Sequence, residues 1–148
     1  MTFLLILVLA TLAVAGHARI RFGAVRWRQA AQYGLGIAFV VAGASKLAAR
    51  EAWPTQAVGL GTPFFLVPYV PWFELAVGAA LIVQVAKPIP QFVAIILLLL
   101  YSALIAKRLS EGRRPPCACF GAWSAKPIGP EHLARNAGLI VLGVLALQ

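Results

Sequence analysis

The sequence predicts an all-α membrane protein with five candidate membrane helices. Composition, the spacing of apolar runs and the placement of basic residues lead to this fold class. Of the 148 residues, 61% are hydrophobic and only 11% are charged. A soluble domain of this size buries only about 70% of its unfolded surface, too little to hide so much apolar area. Lipid is the solvent that this composition suits. The formal net charge of +9 does not read as a nucleic-acid footprint. The basic residues gather at the ends of apolar runs, where Lys and Arg anchor helices and meet anionic head groups.

Five apolar segments follow in order. The first runs from about Thr2 to Ala18 and is followed by Arg19, Arg21, Arg26 and Arg28. It has no basic stretch ahead of it, so it reads as a retained helix or signal anchor; the alternative is a cleaved or interfacial leader. The second runs from about Ala30 to Ala48 and closes on Lys46 and Arg50. The stretch Glu51 to Tyr69 holds Pro54, Pro63 and Pro68 with Gly59 and Gly61, which rules out one continuous helix. The third segment spans about Pro71 to Ala86, the fourth follows Lys87-Pro88-Ile89-Pro90 to about Ala106, and the fifth covers Glu131 to Gln148. A crossing helix takes about 20 residues, with a workable minimum near 17. The second to fourth segments meet that range; the first and fifth are marginal. No repeat or low-complexity segment is evident, and the chain reads as one compact domain. Small residues four apart, Gly34, Ala38 and Ala42 on the second segment and Ala76 and Ala80 on the third, suit close helix approach.

The two cysteines of the chain, Cys117 and Cys119, stand one residue apart in a loop flanked by Pro115, Pro116, Arg113, Arg114 and Lys126. Nearby positive charge favours the thiolate, the nucleophilic form. A disulfide across so short a spacing is geometrically tight, and strained bridges are the labile, oxidising ones. Thiol–disulfide exchange is the first reading, inert or structural cysteines the second and metal binding the third. Two thiols do not complete a zinc site, and His132 is the nearest additional ligand, with His17 expected on the opposite face.

If the second to fifth segments all cross, one membrane face collects Lys46, Glu74, Cys117, Cys119, Arg135 and Asn136. Glu74 lies about one turn inside its helix, where an ionised carboxylate is costly unless paired or hydrated. Lys46 and Arg135 are its expected partners. Two readings stand: a functional acid beneath the cysteine loop, or an ion pair that fixes helix packing.

Several stretches resemble a known family. Tyr33-Gly34-Leu35-Gly36 leading to Ala42-Gly43-Ala44-Ser45-Lys46-Leu47 resembles the first core helix of DoxX-like membrane proteins. Val70-Pro71-Trp72-Phe73-Glu74-Leu75-Ala76-Val77-Gly78 is similar to the Pro-x-x-Glu-Leu-x-x-Gly segment of the methylamine-utilisation MauE branch. Cys117-Ala118-Cys119-Phe120-Gly121 and Arg135-Asn136 look like that branch's Cys-x-Cys-Phe-Gly and Arg-Asn pair, with Ala118 where the family usually has Gly. These matches run from Tyr33 to the C-terminus, and the resemblance implies a four-helix transmembrane bundle, residues 29–148, with the first apolar segment and its basic loop, residues 1–28, as an additional N-terminal transmembrane helix. The resemblance implies a polytopic membrane protein tied to thiol–disulfide chemistry. In the MauE branch that chemistry supports maturation of a periplasmic, disulfide-rich methylamine dehydrogenase alongside a thioredoxin-like partner.

The expected function is therefore membrane thiol–disulfide redox chemistry on an extracytoplasmic client, by an oxidoreductase or its membrane adaptor, with Cys117 and Cys119 as the exchanging pair. The supporting polar cluster would be Lys46, Glu74, Arg135 and Asn136. No metal and no resident cofactor are expected. Quinone use stays open, because Trp72, Phe73 and Tyr101 serve equally as interfacial or packing aromatics. Expected partners are the bilayer and a thioredoxin-like or other thiol protein. The alternative is a non-catalytic scaffold or small-solute carrier with Lys46 and Glu74 lining a polar path. The arginines after the first helix favour a cytoplasmic loop there and an extracytoplasmic cysteine loop, whereas Lys107, Arg108, Arg113, Arg114 and Lys126 pull the other way.

Overall fold

The computed structural model describes residues 27–116 and 127–147, which form five helices with no strand among them. They are α1 (Trp27–Ala48), α2 (Ala52–Leu60), α3 (Val70–Val83), α4 (Ile89–Ser110) and α5 (Pro130–Leu147). Helix α1 packs on α3 and α5, and α4 packs on α5 and α3, so the four longer helices close into a ring. The short α2 lies outside the ring against α4. The first apolar segment and the cysteines fall outside the described residues.

Inside the ring, Leu35, Ala38, Phe39 and Ala42 of α1 meet Val77 and Leu81 of α3, Ala94, Leu98 and Ile105 of α4, and Leu139 of α5. The outside is as apolar as the inside. Ile89, Phe92, Ile96, Leu99 and Leu100 of α4 and Val141, Val144 and Leu145 of α5 are all exposed. In the most apolar stretch of α4 only 33% of residues are buried. Apolar surface on that scale has no place in water and marks a lipid-facing wall.

Helices α1 and α4, each of 22 residues, are long and apolar enough to cross a membrane. Helix α3 is shorter than its apolar run suggested. It stops at Val83, because Gln84 turns into the left-handed region at φ 62° and sends its N–H back to the Ala80 carbonyl. Its 14 residues span about 21 Å, against a hydrocarbon core of roughly 30 Å. At its start, Tyr69, Trp72 and Phe73 are exposed, as are Phe64 and Phe65 in the preceding turns. This aromatic stretch continues the chain toward the level at which such rings concentrate.

The α1–α3 contact uses small residues, but not those that the four-residue spacing singled out on α3. Ala76 is exposed and Ala80 only partly buried. The contact is made by glycines: a Cβ on Gly78 would lie 2.8 Å from the Gly36 carbonyl oxygen and 2.8 Å from the Val40 nitrogen. A Cβ on Gly43 would lie 2.6 Å from the Pro71 carbonyl oxygen. Backbone meets backbone at both places, and a methyl group has nowhere to go.

Candidate functional site

The end of the ring formed by the C-termini of α1 and α4 and the N-termini of α3 and α5 carries a buried polar cluster. Lys46 comes from the last turn of α1 and Glu74 from the fifth residue of α3. The close approach of the two helices at Gly43 and Pro71 brings these side chains together. Lys46 Nζ lies 2.7 Å from Glu74 Oε2 and 2.9 Å from Oε1. The two side chains are 0% and 1% exposed. From α4, the Tyr101 hydroxyl donates to Glu74 Oε1 at 2.6 Å. Lys46 Nζ also sits 5.1 Å from the Trp53 ring centroid and 5.7 Å from that of Tyr101, within cation–π range. The Trp53 indole N–H donates to the Val67 carbonyl at 3.1 Å, which ties α2 and the turn before α3 to the cluster.

These contacts compensate the cost of taking two charges out of water. Both carboxylate oxygens face the ammonium, and one also receives a hydroxyl hydrogen bond. The ammonium also lies within range of two aromatic rings. Such a unit tolerates burial only when its partners are all in place.

On α5, Asn136 is fully buried and donates from Nδ2 to the Ser102 hydroxyl of α4 at 3.2 Å. Ser102 in turn donates to the Leu98 carbonyl at 2.8 Å. Arg135 is partly buried, and its charge lies within electrostatic reach of Lys46. The expected choice of partner for Glu74 thus resolves to Lys46. His132 Nδ1 accepts the Gly129 N–H at 3.1 Å in the first turn of α5.

The loop that carries Cys117 and Cys119 lies outside the described residues, but both of its limbs are described. Pro116 and Pro127 form an isolated antiparallel bridge, and the Ile128 N–H donates to the Pro115 carbonyl at 3.1 Å. Ile128 is fully buried in the core formed by Leu98, Ile105 and Leu139. The ten intervening residues therefore leave from and return to one anchored point at this end of the ring. Arg108 braces the same end, with its Nε donating to the Leu60 carbonyl at 3.1 Å and its Nη1 3.0 Å from Glu111 Oε2.

Tyr101 and Trp53 are the members of the cluster that sequence reasoning did not assign to it. Tyr101 shares the face of Leu98 and Ile105, but α4 is apolar all round, so only the packing shows that this face turns inward. A buried phenol needs a hydrogen-bond partner. Trp72 and Phe73, grouped with Tyr101 on sequence, are exposed and take no part.

No curated protein and no solved structure matches the chain. The sequence model of Methylamine utilisation protein MauE, in contrast, matches residues 1–148, taking in the first apolar segment as well as everything from Tyr33 onward. With two helices able to cross a bilayer, a lipid-facing outer wall and a family match over its whole length, this chain is a membrane protein that belongs to the methylamine utilisation MauE family.

Proposed function

We propose that this protein is an integral membrane thiol–disulfide redox protein acting on an extracytoplasmic client, with Cys117 and Cys119 as the exchanging pair. The observation that carries the reading is the anchoring of the cysteine loop. Its two ends are pinned together by the Pro116–Pro127 bridge and held to the core by Ile128. The segment between these fixed ends carries both thiols, which stand one residue apart in the sequence. The buried Lys46–Glu74–Tyr101 unit lies at the same end of the helices.

The exchange balances as a two-electron, two-proton transfer. A client thiolate attacks one sulfur of the Cys117–Cys119 disulfide, breaking that bond and forming a mixed disulfide. The client's second thiolate then attacks its own sulfur in the mixed bond. The client leaves oxidised and both loop thiols are left reduced. The reverse sequence reduces a client. A thioredoxin-like partner in its disulfide form reoxidises the loop thiols by the same exchange and is itself reduced to the dithiol. Arg113, Arg114 and Lys126, close to the cysteines in sequence, supply positive charge that favours their thiolates. In the bilayer, α1, α3, α4 and α5 form the four-helix transmembrane bundle, with the first apolar segment as a further helix.

The carrier alternative is less well supported. Lys46 and Glu74 are bonded to each other and walled by Trp53 and Tyr101, an arrangement suited to holding helices together rather than to lining a path.

Redox titration in glutathione buffers, read by alkylation mass shift, tests the proposal. The expected result is reversible oxidation of one disulfide per chain with an oxidising midpoint. A pair that remains reduced in an oxidising buffer, or that resists reduction as a permanent staple would, refutes it.

A further inference from the structure

At the opposite end of the helices from the cysteine loop, the ring opens into a cleft of about 680 Å³, within the size range of ligand pockets. Trp27, Arg28 and Gln32 of α1, Lys87 of the α3–α4 connection, Gln91 of α4 and Leu147 of α5 line it. Arg28 and Lys87 are exposed at its mouth, whereas Gln32 and Gln91 are each 2% exposed at its floor. Gln32 is held there by a 3.0 Å hydrogen bond from its Nε2 to the Leu81 carbonyl. Gln91 Oε1 is different: it is buried and has no hydrogen-bond partner. A buried amide oxygen left unsatisfied costs stability, and its side chain lines the cleft, so a turn of the amide into the cleft would let a donor from outside the chain satisfy it.

We infer that this cleft binds a phosphate monoanion bearing a hydroxylated group, and that its source is the headgroup of an anionic phospholipid. The Arg28 guanidinium offers a planar fork suited to phosphate oxygens. Lys87 Nζ is steered to the mouth by a 2.8 Å hydrogen bond to Gln84 Oε1, which leaves two of its three donors for the ligand. Below the phosphate, a headgroup hydroxyl satisfies Gln91 Oε1. Outside the mouth, Val83, Val85 and Ile89 are 68%, 50% and 63% exposed, giving acyl chains an apolar track beside Lys87. Free phosphate would use the two cations and leave that track empty, so the amphiphile fits the whole site. This cleft is independent of the thiol chemistry proposed above.

The test uses the full-length protein in a neutral detergent with phosphatidylglycerol, phosphatidic acid, phosphatidylcholine or inorganic phosphate added. Lipid retention is read by native mass spectrometry, and melting temperature is read in parallel. Phosphatidylglycerol is expected to bind saturably and raise the melting temperature, with phosphatidylcholine doing neither. Arg28→Gln with Lys87→Gln should weaken retention by about tenfold or more, as expected for losing charge-assisted hydrogen bonds. Because both side chains are exposed, this variant keeps its fold, which circular dichroism verifies. Gln91→Leu should remove the preference for phosphatidylglycerol over phosphatidic acid while anion binding persists. Equal retention of phosphatidylcholine, or unchanged retention in the Arg28/Lys87 variant, overturns the inference. If inorganic phosphate raises the melting temperature as far as phosphatidylglycerol does, and does so through Arg28 and Lys87, the lipid source is overturned in favour of free phosphate.

Discussion

Replacing Lys46 by Met is expected to be among the most damaging single changes in the described helices. The substitution keeps most of the side-chain volume and removes the ammonium. Glu74 would then be left 1% exposed with one hydrogen bond, from Tyr101, where it has three short contacts now. Breaking a buried pair from one side typically costs about 3–5 kcal/mol, because the abandoned charge has no solvent to return to. Tyr101→Phe removes only the 2.6 Å hydroxyl bond to the carboxylate, so its cost should be smaller, about 1.5–3 kcal/mol. The decisive variant is the triple change Lys46→Met, Glu74→Leu, Tyr101→Phe. It removes both charges and also the hydroxyl that the missing carboxylate would orphan. Replacing a whole buried ion pair by apolar groups of similar volume is often neutral or stabilising, so the triple variant should recover most of the loss. Reversible unfolding in mixed micelles, followed by circular dichroism, gives the free energies. A loss below about 1 kcal/mol for Lys46→Met, or a triple variant no more stable than the single one, would refute the view that these groups form one desolvated unit.

Gly78→Ala should destabilise by about 1–3 kcal/mol, since its new methyl group meets the backbone of α1 as well as the Val40 side chain; the same unfolding assay measures it. Changing Cys117 or Cys119 to Ser should abolish exchange with a thiol client yet shift stability by no more than about 0.5 kcal/mol, and loss of membrane insertion in both variants would instead indicate a structural role. Glu74→Gln should alter the pH dependence of Cys117 and Cys119 alkylation if the cluster tunes the thiols; lower stability with an unchanged alkylation profile would leave Glu74 as a packing residue alone. On intact cells, a membrane-impermeant thiol reagent should label the reduced cysteines, and protection from it would place the loop in the cytoplasm.

Much of the site was legible because charge is conspicuous in an apolar chain. Glu74 and Lys46 stand out wherever they lie, and alternation of helix direction sends both to one end. The pairing itself was not legible, since Lys46 and Arg135 satisfy the same alternation. Helix rotation decides between them, and rotation follows from which side chains pack inward. Where a helix is apolar all round, as α4 is, periodicity has no contrast to work with. Tyr101 was therefore one aromatic among several until its neighbours Leu98 and Ile105 were seen to face the core.

The spacing of small residues, which marks a buried face on α1 at Gly34, Ala38 and Ala42, failed on α3 for a related reason. Ala and Gly are frequent throughout these helices, so residues four apart mark a face without saying whether another helix covers it. Gly36, Gly43 and Gly78 matter because two backbones touch there, a property of the docked pair and not of either helix alone. The end of α3 at Val83 and the unsatisfied oxygen of Gln91 belong to the same class of fact.

By itself, then, the sequence determined the solvent, the helical class, the end of the molecule that gathers polar groups and the family that the motifs share. These follow from composition, from run length against bilayer thickness and from strict alternation of direction. The tertiary structure alone decided which cation meets Glu74, that Tyr101 completes the unit, which glycines let α1 and α3 touch and where a cleft opens beside Gln91. Each of those depends on how helices distant in sequence rotate and slide against one another, and short-range interactions between a few well-packed atoms settle that geometry.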